Sequence, residues 1–469
     1  MSAVDTTHDE ALVAEILTAR RERSKFAISV RERRVLLAAA DGIVGALACL
    51  IAYLILLPPH MSTIPIADPA LYGAAWVIGL FIVDGYAFQI PSSRAQSAIA
   101  VIKATPFAGL AGVIAFFLEP YVMTRPLIVL STLTGAVFLI VMRTTIARLL
   151  LHESLAIRAV LLGRSQPSTQ IVDTLQAAKY EYQLVARVID PIGTDERRMR
   201  VIGAIRELFA SHSADELIVT SNDLRVLPGL VEECVTHGVR VVTAGSLVER
   251  YMGIVPVDSI DTHWYLSLPD NDLWERPYAV VRRLVDLVLS VVISIPFLVL
   301  LPVLALLIKL DSAGSVFHIQ TRLGQHGREF KLLKLRTMRV DAETMGVQFA
   351  ERGDPRVTRV GRLLRATRLD EVPQLLNIAR GEMSFIGPRP ERPEFIHRLE
   401  QEIPRFSARL LVKPGLTGWA QVKGGYASTI TEMTRKLEYD LYYIKNRSFR
   451  LDMQILASTF VAVIGLGGR

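Results

Sequence analysis

Only two cysteines, Cys49 and Cys234, occur in 469 residues. Neither a disulfide framework nor a cysteine-built zinc site can be assembled from them, and a reducing setting suits the chain. Charge is sparse too: charged residues make up 21% of the chain against 51% hydrophobic. With a mean hydropathy of +0.34, the composition is too apolar for an ordinary soluble globule. The features of a cleaved signal peptide are also missing, because about 34 mostly polar residues precede the first apolar run and no small-residue cleavage site follows a short apolar core. The N-terminus is therefore expected to be retained. Lys and Arg outnumber Asp and Glu by 53 to 46, a net +7 that suits anionic headgroups, phosphorylated substrates or nucleic acid and by itself selects none of them.

Long apolar runs are what the chain does have. Residues 35–57, 71–90, 100–118 and 126–142 each approach the about 20 residues that cross hydrocarbon. This predicts a cytoplasmic N-terminal segment, 1–34, followed by a four-helix transmembrane domain, 35–150. Arg20, Arg21, Arg23, Arg31, Arg33 and Arg34 precede the first run, Arg94 and Lys103 lie around the second connection, and Arg143 and Arg148 follow the fourth run. The first connection has no Lys or Arg and the third only Arg125, so the positive-inside rule puts both ends of the bundle in the cytoplasm. Asp41 and Asp84 lie within or beside the runs and are read as packed carboxyls in preference to a proton relay.

A fifth run, 284–308, is long enough to span, but Arg282 and Arg283 before it and Lys309 after it give both flanks the cytoplasmic sign. Pro296 and Pro302 each remove a backbone donor inside it, and the Ser294 hydroxyl can take up part of the freed hydrogen bonding by donating to a carbonyl. The expectation is a re-entrant helix bent around Ser294 and Pro296. The last apolar stretch, 451–467, is short and glycine-rich and reads as interfacial.

Between 151 and 265 the pattern alternates β-rich and helical runs: IRAVLLG, a helix over 168–179, QLVARVI, a helix over 202–211, ELIVTS, a helix over 225–237, then VRVVT. That predicts a parallel α/β sheet domain of Rossmann-like type. Its first turn, Leu162-Gly163-Arg164-Ser165-Gln166-Pro167-Ser168, keeps one glycine and loses a donor at Pro167, so it is a degenerate version that is expected to interact or regulate and not to hold a dinucleotide.

The chemistry is expected in the C-terminal block. Arg356, Arg359, Arg362 and Arg365 recur at three-residue spacing, a basic face that serves equally for solvent, anionic headgroups or phosphate. Then comes Arg365-Ala366-Thr367-Arg368-Leu369-Asp370-Glu371-Val372-Pro373-Gln374. Pro373 suits a first helical turn, which sets Asp370 and Glu371 at a helix start. Such a pair is usually a helix stabiliser; the surrounding cations and the rigid turn Gly387-Pro388-Arg389-Pro390 favour a phosphate-handling site. Two carboxylates facing a diphosphate call for Mg²⁺, for which Asp370 and Glu371 are the candidate ligands, and one of them can attack phosphorus as a nucleophile.

From Tyr278 onward the chain resembles the bacterial sugar transferases, the monotopic polyprenol-phosphate phosphoglycosyl transferases. The resemblance rests on five motifs in order: Lys334-Leu335-Arg336-Thr337-Met338; Asp354-Pro355-Arg356; Arg365 through Leu375; Gly381-Glu382-Met383-Ser384 with Gly387-Pro388-Arg389-Pro390; and Val412 through Val422. With four helices and a Rossmann-like domain ahead of that block, the chain looks like the large members that initiate exopolysaccharide or O-antigen repeat units. The resemblance implies an α-rich catalytic domain, 278–469, with the re-entrant helix at 284–308. It also implies transfer of a hexose 1-phosphate from a UDP-sugar to undecaprenyl phosphate with release of UMP. Asp370 would be the nucleophile that carries the phosphosugar, Glu371 its partner, Arg389 a phosphate-binding arginine, and Lys334, Arg336 and Arg365 further substrate- or phosphate-binding positions. The implied setting is the bacterial inner membrane with the catalytic domain facing the cytoplasm, no nucleic-acid partner, and a homo-oligomer left open. One departure is Val422-Lys423-Gly424-Gly425, where relatives commonly carry an Asn-Gly-Arg type turn, which bears on the sugar or base and not on the reaction. Two rival classes are a membrane-anchored NAD-dependent sugar-nucleotide dehydratase and a non-enzymatic polysaccharide-assembly scaffold. The first lacks its glycine fingerprint and a Tyr-x-x-x-Lys pair, and the second leaves the motifs around Asp370 and Arg389 without a purpose.

Overall fold

The structure is a computed structural model. It describes residues 30–56, 67–83, 85–86, 94–118, 123–150, 157–163, 182–189, 214–219, 240–257, 260, 262–269, 275–339, 354–424 and 429–464, together with isolated positions between 171 and 236. The chain divides into two compact units, 1–252 and 253–469.

The first unit opens with α1 (Val30–Leu56), α2 (Ala67–Ile82), α3 (Arg94–Leu118) and α4 (Arg125–Leu150). Each helix packs on its neighbours in sequence and α4 closes onto α1. Three of them are long and apolar enough to span a membrane, whereas α2 has 16 residues. At 1.5 Å per residue α2 reaches about 24 Å of the about 30 Å of hydrocarbon. It starts four residues before the expected run, with Asp68 in its first turn, where the helix dipole favours an acid. Asp68 also accepts the Tyr53 hydroxyl. Polar residues likewise extend α3 back to Arg94 and α4 forward to Leu150, because helix propensity continues past the apolar window that hydropathy detects.

Inside this bundle, Arg143 forms a bidentate pair with Asp41, Nε to Oδ1 at 2.9 Å and Nη2 to Oδ2 at 2.7 Å. Its remaining Nη1 donates to the Gly85 carbonyl at 2.8 Å, and its guanidinium lies 5.0 Å from the Tyr86 ring centre. Both side chains are fully buried. Asp41 is thus a packed, paired carboxylate, and Arg143 serves the bundle interior and not the flank that its sequence position suggested. Asp84 lies outside the described residues.

Four strands follow: β1 (Ile157–Gly163), β2 (Tyr182–Ile189), β3 (Glu216–Val219) and β4 (Arg240–Thr243). They form one sheet in the order β2-β1-β3-β4 with every pairing parallel. These are the four expected strands, and β3 is buried along its whole length, as a strand covered on both faces must be. The three expected connecting helices fall largely outside the described residues. Helix α5 (Ala244–Met252) ends the unit.

The second unit begins at Gly253. Val255, Val257, Ile260 and Trp264 are buried with Phe406, Leu437, Leu441 and Ile444. These apolar residues carry no period of their own that would assign them to one side or the other. Next comes α6 (Glu275–Asp311), a helix of 37 residues with Pro296 and Pro302 inside and a largely exposed apolar surface. Its two ends are anchored in this unit. Near the start, Arg283 donates to the carbonyls of Ile378 and Ala379 at 2.6 and 2.7 Å. At the far end, Asp311 accepts the Val360 amide at 2.8 Å, and Leu304 and Ile308 pack on Leu335 and Leu364.

The antiparallel hairpin of β5 (Phe317–Leu323) and β6 (Glu329–Leu335) leads to α7 (Arg359–Ala366), a 3₁₀ turn over Leu369–Gln374, and α8 (Leu375–Arg380). Short β7 (Ser384–Ile386) pairs in parallel with β8 (Gly415–Thr417), with α9 (Pro393–Glu402) between them. α10 (Ile430–Lys445) and α11 (Phe449–Ile464) complete the unit. The stretch expected to be interfacial is part of α11, whose Leu451 and Ile455 are buried with Phe385, Trp419 and Tyr443. Its first half is core because those two residues, one helical turn apart, face the sheet.

Candidate active site

Three pieces of backbone converge on Asp370 and Glu371. The acids sit in the 3₁₀ turn that runs straight into α8, so the expected helix start with Pro373 inside it is present. The turn is entered through Arg368, a non-glycine residue at φ 60°, in the left-handed region. That conformation costs about 1–2 kcal/mol for an L-residue and is held by the surrounding structure. Both acids are buried, each 7% exposed.

Strand β6 supplies Lys334. Phe330, Leu332 and Lys334 fall on one face by the two-residue period of a strand, and the first two are buried against Leu375 and Ile378 of α8. Lys334 thus ends an apolar row that aims at the acidic turn. Asn377 locks the two elements together: its Nδ2 donates to the Lys331 carbonyl at 2.8 Å and its Oδ1 accepts the Leu333 amide at 3.2 Å. The turn between β7 and α9 supplies Arg389. Its Nη2 donates to Glu371 Oε1 at 2.6 Å, and Nη1 lies 3.4 Å from Oε2.

The glycines around that turn are there for space. A Cβ on Gly387 would lie 2.4 Å from the Lys413 carbonyl oxygen, and one on Gly415 would lie 2.1 Å from the Gly387 nitrogen. Only bare backbone lets the two glycine motifs close on each other, with Gly387 N donating to Thr417 O and Gly415 N to Pro388 O.

The electrostatics separate the two acids. Burial and the charge of Glu371 push Asp370 up to about 6, despite Lys334, Arg365 and Arg389 nearby. Burial opposes ionisation of Glu371 as well, but Arg389 and Lys334 outweigh it and hold Glu371 down at about 2. Lys334, desolvated and beside Arg389, falls to about 8. Adjacent carboxyls pushed apart in this way are characteristic of acid–base and nucleophilic sites. Two carboxylates face four cations, Lys334, Arg365, Arg368 and Arg389, which leaves an excess of positive charge suited to an incoming diphosphate.

Asp370 Oδ1 is buried with no hydrogen-bond partner in the structure, as is Gln374 Nε2 one turn on. An orphaned carboxylate oxygen is the kind of atom that attacks phosphorus or ligates a hard cation. Among the described residues there is no cluster of three or more His, Cys, Asp or Glu that would cage a metal. Mg²⁺ does not need one, since it is often held by one or two carboxylates plus substrate phosphates. Asp370 fits that role. Glu371, the other expected ligand, already faces Arg389 with both oxygens.

A profile of bacterial sugar transferases matches residues 277–465. Over 212 residues the chain is 42% identical to the UDP-glucose:undecaprenyl-phosphate glucose-1-phosphate transferase of Caulobacter vibrioides, covering 45% of this chain and 79% of that one. The chain belongs to the bacterial sugar transferase family. It is also 40% identical over 238 residues to the UDP-N-acetylgalactosamine-undecaprenyl-phosphate N-acetylgalactosaminephosphotransferase of Aeromonas hydrophila, covering 50% of this chain and 55% of that relative. The exopolysaccharide production protein PSS of Rhizobium leguminosarum bv. phaseoli is 37% identical over 203 residues, 40% of this chain and 97% of that one. The matched part thus spans about half of the Aeromonas relative and nearly all of the Rhizobium one.

The residues expected at the site separate into two groups. Asp370, Glu371, Lys334, Arg365 and Arg389 come together, Arg365 held by its Nε donating to Thr337 Oγ1 at 2.9 Å. Arg336 goes elsewhere: it donates to Ser312 O and Ala313 O, just past α6, at 2.6 Å each, and its Nη2 lies 3.5 Å from Ile308 O in the last turn of α6. The orphan carbonyls at a helix C-terminus attract such a cation, and its side chain is spent there. The basic run also divides, because Arg356 lies before α7 and is paired with Asp354 at 2.6 Å. Ser294 and Pro296 lie inside α6, away from the acidic pair in sequence and bonded to none of its members in the structure. Sequence reasoning missed Arg368 and Asn377. Arg368 announces itself only through its backbone angle, and Asn377 resembles any polar residue on a short helix.

Proposed function

We propose that this chain transfers a hexose 1-phosphate from a UDP-sugar to undecaprenyl phosphate, releasing UMP and starting an exopolysaccharide or O-antigen repeat unit. The observation that carries the reading is the buried Asp370, with one free oxygen, beside the three cations Lys334, Arg365 and Arg389. In the first half-reaction an Asp370 oxygen attacks the phosphorus that bears the sugar. The bond from that phosphorus to the bridging oxygen breaks, and UMP leaves with the electron pair. In the second, a phosphate oxygen of undecaprenyl phosphate attacks the same phosphorus and restores the Asp370 carboxylate. Lys334, Arg365 and Arg389 neutralise charge as it moves onto the equatorial and leaving oxygens. Glu371 keeps Arg389 aimed at the site. Mg²⁺ would be held by Asp370 together with the donor diphosphate, and it supplies charge neutralisation.

The relatives' names support the donor and acceptor classes, and two different sugars among them leave the hexose open. Membranes incubated with undecaprenyl phosphate and a panel of UDP-sugars, UDP-glucose and UDP-N-acetylgalactosamine included, are expected to release UMP beyond one equivalent per enzyme only when both substrates are present. Excess chelator is expected to stop release and Mg²⁺ to restore it. No UMP from any donor would overturn the proposal, and full activity in chelator would remove the metal.

The reading further places α6 as a re-entrant helix in the bacterial inner membrane, with the catalytic unit on the cytoplasmic side where UDP-sugars are made. What supports this is that Arg283 and Asp311 bond to one compact unit. A straight helix between them would hold its ends about 42 Å apart, and Pro296 and Pro302 are positioned to bend it. The parallel sheet with its 2-1-3-4 order supports the Rossmann-like reading of the domain before it. A cysteine placed at exposed Gly314, in a background without Cys49 and Cys234, is expected to react with an impermeant thiol reagent only after cells are opened. Labelling of intact spheroplasts would contradict the re-entrant topology.

A further inference from the structure

Behind Arg389 lies a second charged cluster that touches neither acid of the pair. Glu391 ion-pairs with Lys436 of α10 at 2.8 Å, with Arg409 at 3.6 Å and with Arg322 of β5 at 3.6 Å. Arg409 is almost fully buried and also bonds Asp440 Oδ2 at 2.8 Å. These cations do more than balance charge. Arg409 Nη2 donates to the Arg389 carbonyl at 3.1 Å, and Arg322 Nη1 donates to the Pro390 carbonyl at 3.0 Å. The carbonyls on either side are taken by backbone amides, Pro388 O by Gly415 N at 2.9 Å and Glu391 O by Leu323 N at 3.1 Å. Four consecutive carbonyls, 388 to 391, are therefore each pinned from outside the turn. The middle two depend on arginines that share one counter-ion.

Burial works against the Glu391 carboxylate, but Lys436 and Arg409 hold it at about 2, so it stays charged at every working pH. A counter-ion common to three cations ties them together, and removing it takes the ion-pair partner from Arg322 and Lys436 and one of two from Arg409, which keeps Asp440.

We infer that Glu391 is a positioning residue for the transfer reaction: through Arg322 and Arg409 it sets the backbone of the 388–391 turn and so delivers the Arg389 guanidinium to Glu371 and to the substrate phosphates. It touches neither substrate nor the acids itself. This rests on the proposed transferase reading.

The test uses the full-length protein in membranes or detergent. Glu391→Gln keeps the shape and removes the charge. It is expected to lower kcat/KM for the UDP-sugar that the wild type uses best by about 10²-fold, the loss that misplacement by about 1 Å produces in a preorganised site. Both a raised donor KM and a lowered kcat should contribute, and Glu391→Asp should recover most of the loss. A separate readout needs no turnover. Phenylglyoxal modification mapped by mass spectrometry should find Arg389 protected in the wild type and selectively reactive in Glu391→Gln. If that variant does not fold, Lys436→Met removes one anchor of Glu391 from a more accessible position and should shift both readouts the same way by less. Activity within threefold of wild type with Arg389 still protected would overturn the inference. So would a uniform rise in reactivity of all arginines, which signals general loosening of the fold. A wild type that releases no UMP from any donor, while Arg389 protection still depends on Glu391, would instead remove the transferase reading and leave the positioning contact standing.

Discussion

Asp370→Asn is expected to lower transfer by at least about 10³-fold, some 4 kcal/mol of barrier at 1.36 kcal/mol per factor of ten, while the protein stays folded. An amide fills the same space, but it cannot attack phosphorus as an anion. Stability should move the other way. The pKa of Asp370 rises from 3.8 to about 6 in the folded protein, so the fold favours its protonated form. The stability this gives is complete below pH 4 and is lost as pH rises through about 6. Above that, the ionised carboxylate costs the fold about 2–3 kcal/mol, a cost that asparagine does not carry. At pH 7.5 the variant should melt no lower than wild type. The same titration predicts a wild-type kcat/KM that climbs with pH to a plateau above about 6, since only the carboxylate reacts. Turnover within tenfold of wild type in Asp370→Asn, or a variant that fails to fold, would remove Asp370 from the role given to it.

Replacing Arg389 by Gln should be nearly as damaging, for a different reason. Its guanidinium donates to Glu371 at 2.6 Å and is the foremost cation keeping that buried carboxylate ionised at about 2. Without it, Glu371 loses its main compensation and a charge on the transferring phosphoryl group goes unneutralised. The loss in kcat/KM is expected to be about 10²–10³-fold, the range found when one preorganised donor is removed from an active site. The two acids titrate as a coupled pair, and losing a cation raises both of their apparent values. The acid limb of the pH–rate profile should therefore move to higher pH, and stability at neutral pH should fall because Glu371 is then buried without its partner. An unshifted acid limb with a simple loss of amplitude would mean that Arg389 acts on substrate alone.

These residues were legible before any fold was known because their cues are local. Asp370, Glu371 and Pro373 sit within four positions, Pro373 marks a helix start, and the flanking arginines supply the charge. Arg389 was legible because the prolines beside it promise a rigid turn. Arg336 shows the limit of this kind of reading. A basic residue two positions from Lys334 suggests phosphate contact, but carbonyls at and just past the end of α6 capture the Arg336 side chain. Asp41 and Arg143 are 102 positions apart, and hydropathy alone does not reveal a pair that only helix packing brings together. The Glu391 cluster is harder still, because it draws on β5, the 3₁₀ turn Phe406–Leu411, and α10, and each member looks like ordinary surface charge in sequence. The packing of the apolar residues 255–264 was not legible, because they fit either neighbour until their partners were known.

The most direct measurement of the central claim is a single-turnover incubation of purified protein with the UDP-sugar that it uses, with undecaprenyl phosphate left out. The donor reaction should then stop halfway. UMP is expected to be released in an amount equal to the active protein, and peptide mapping should find a hexose phosphate on the segment 369–380, lost when undecaprenyl phosphate is added and absent from Asp370→Asn. UMP release only after acceptor is supplied, or an adduct mapped to any other residue, would contradict the account.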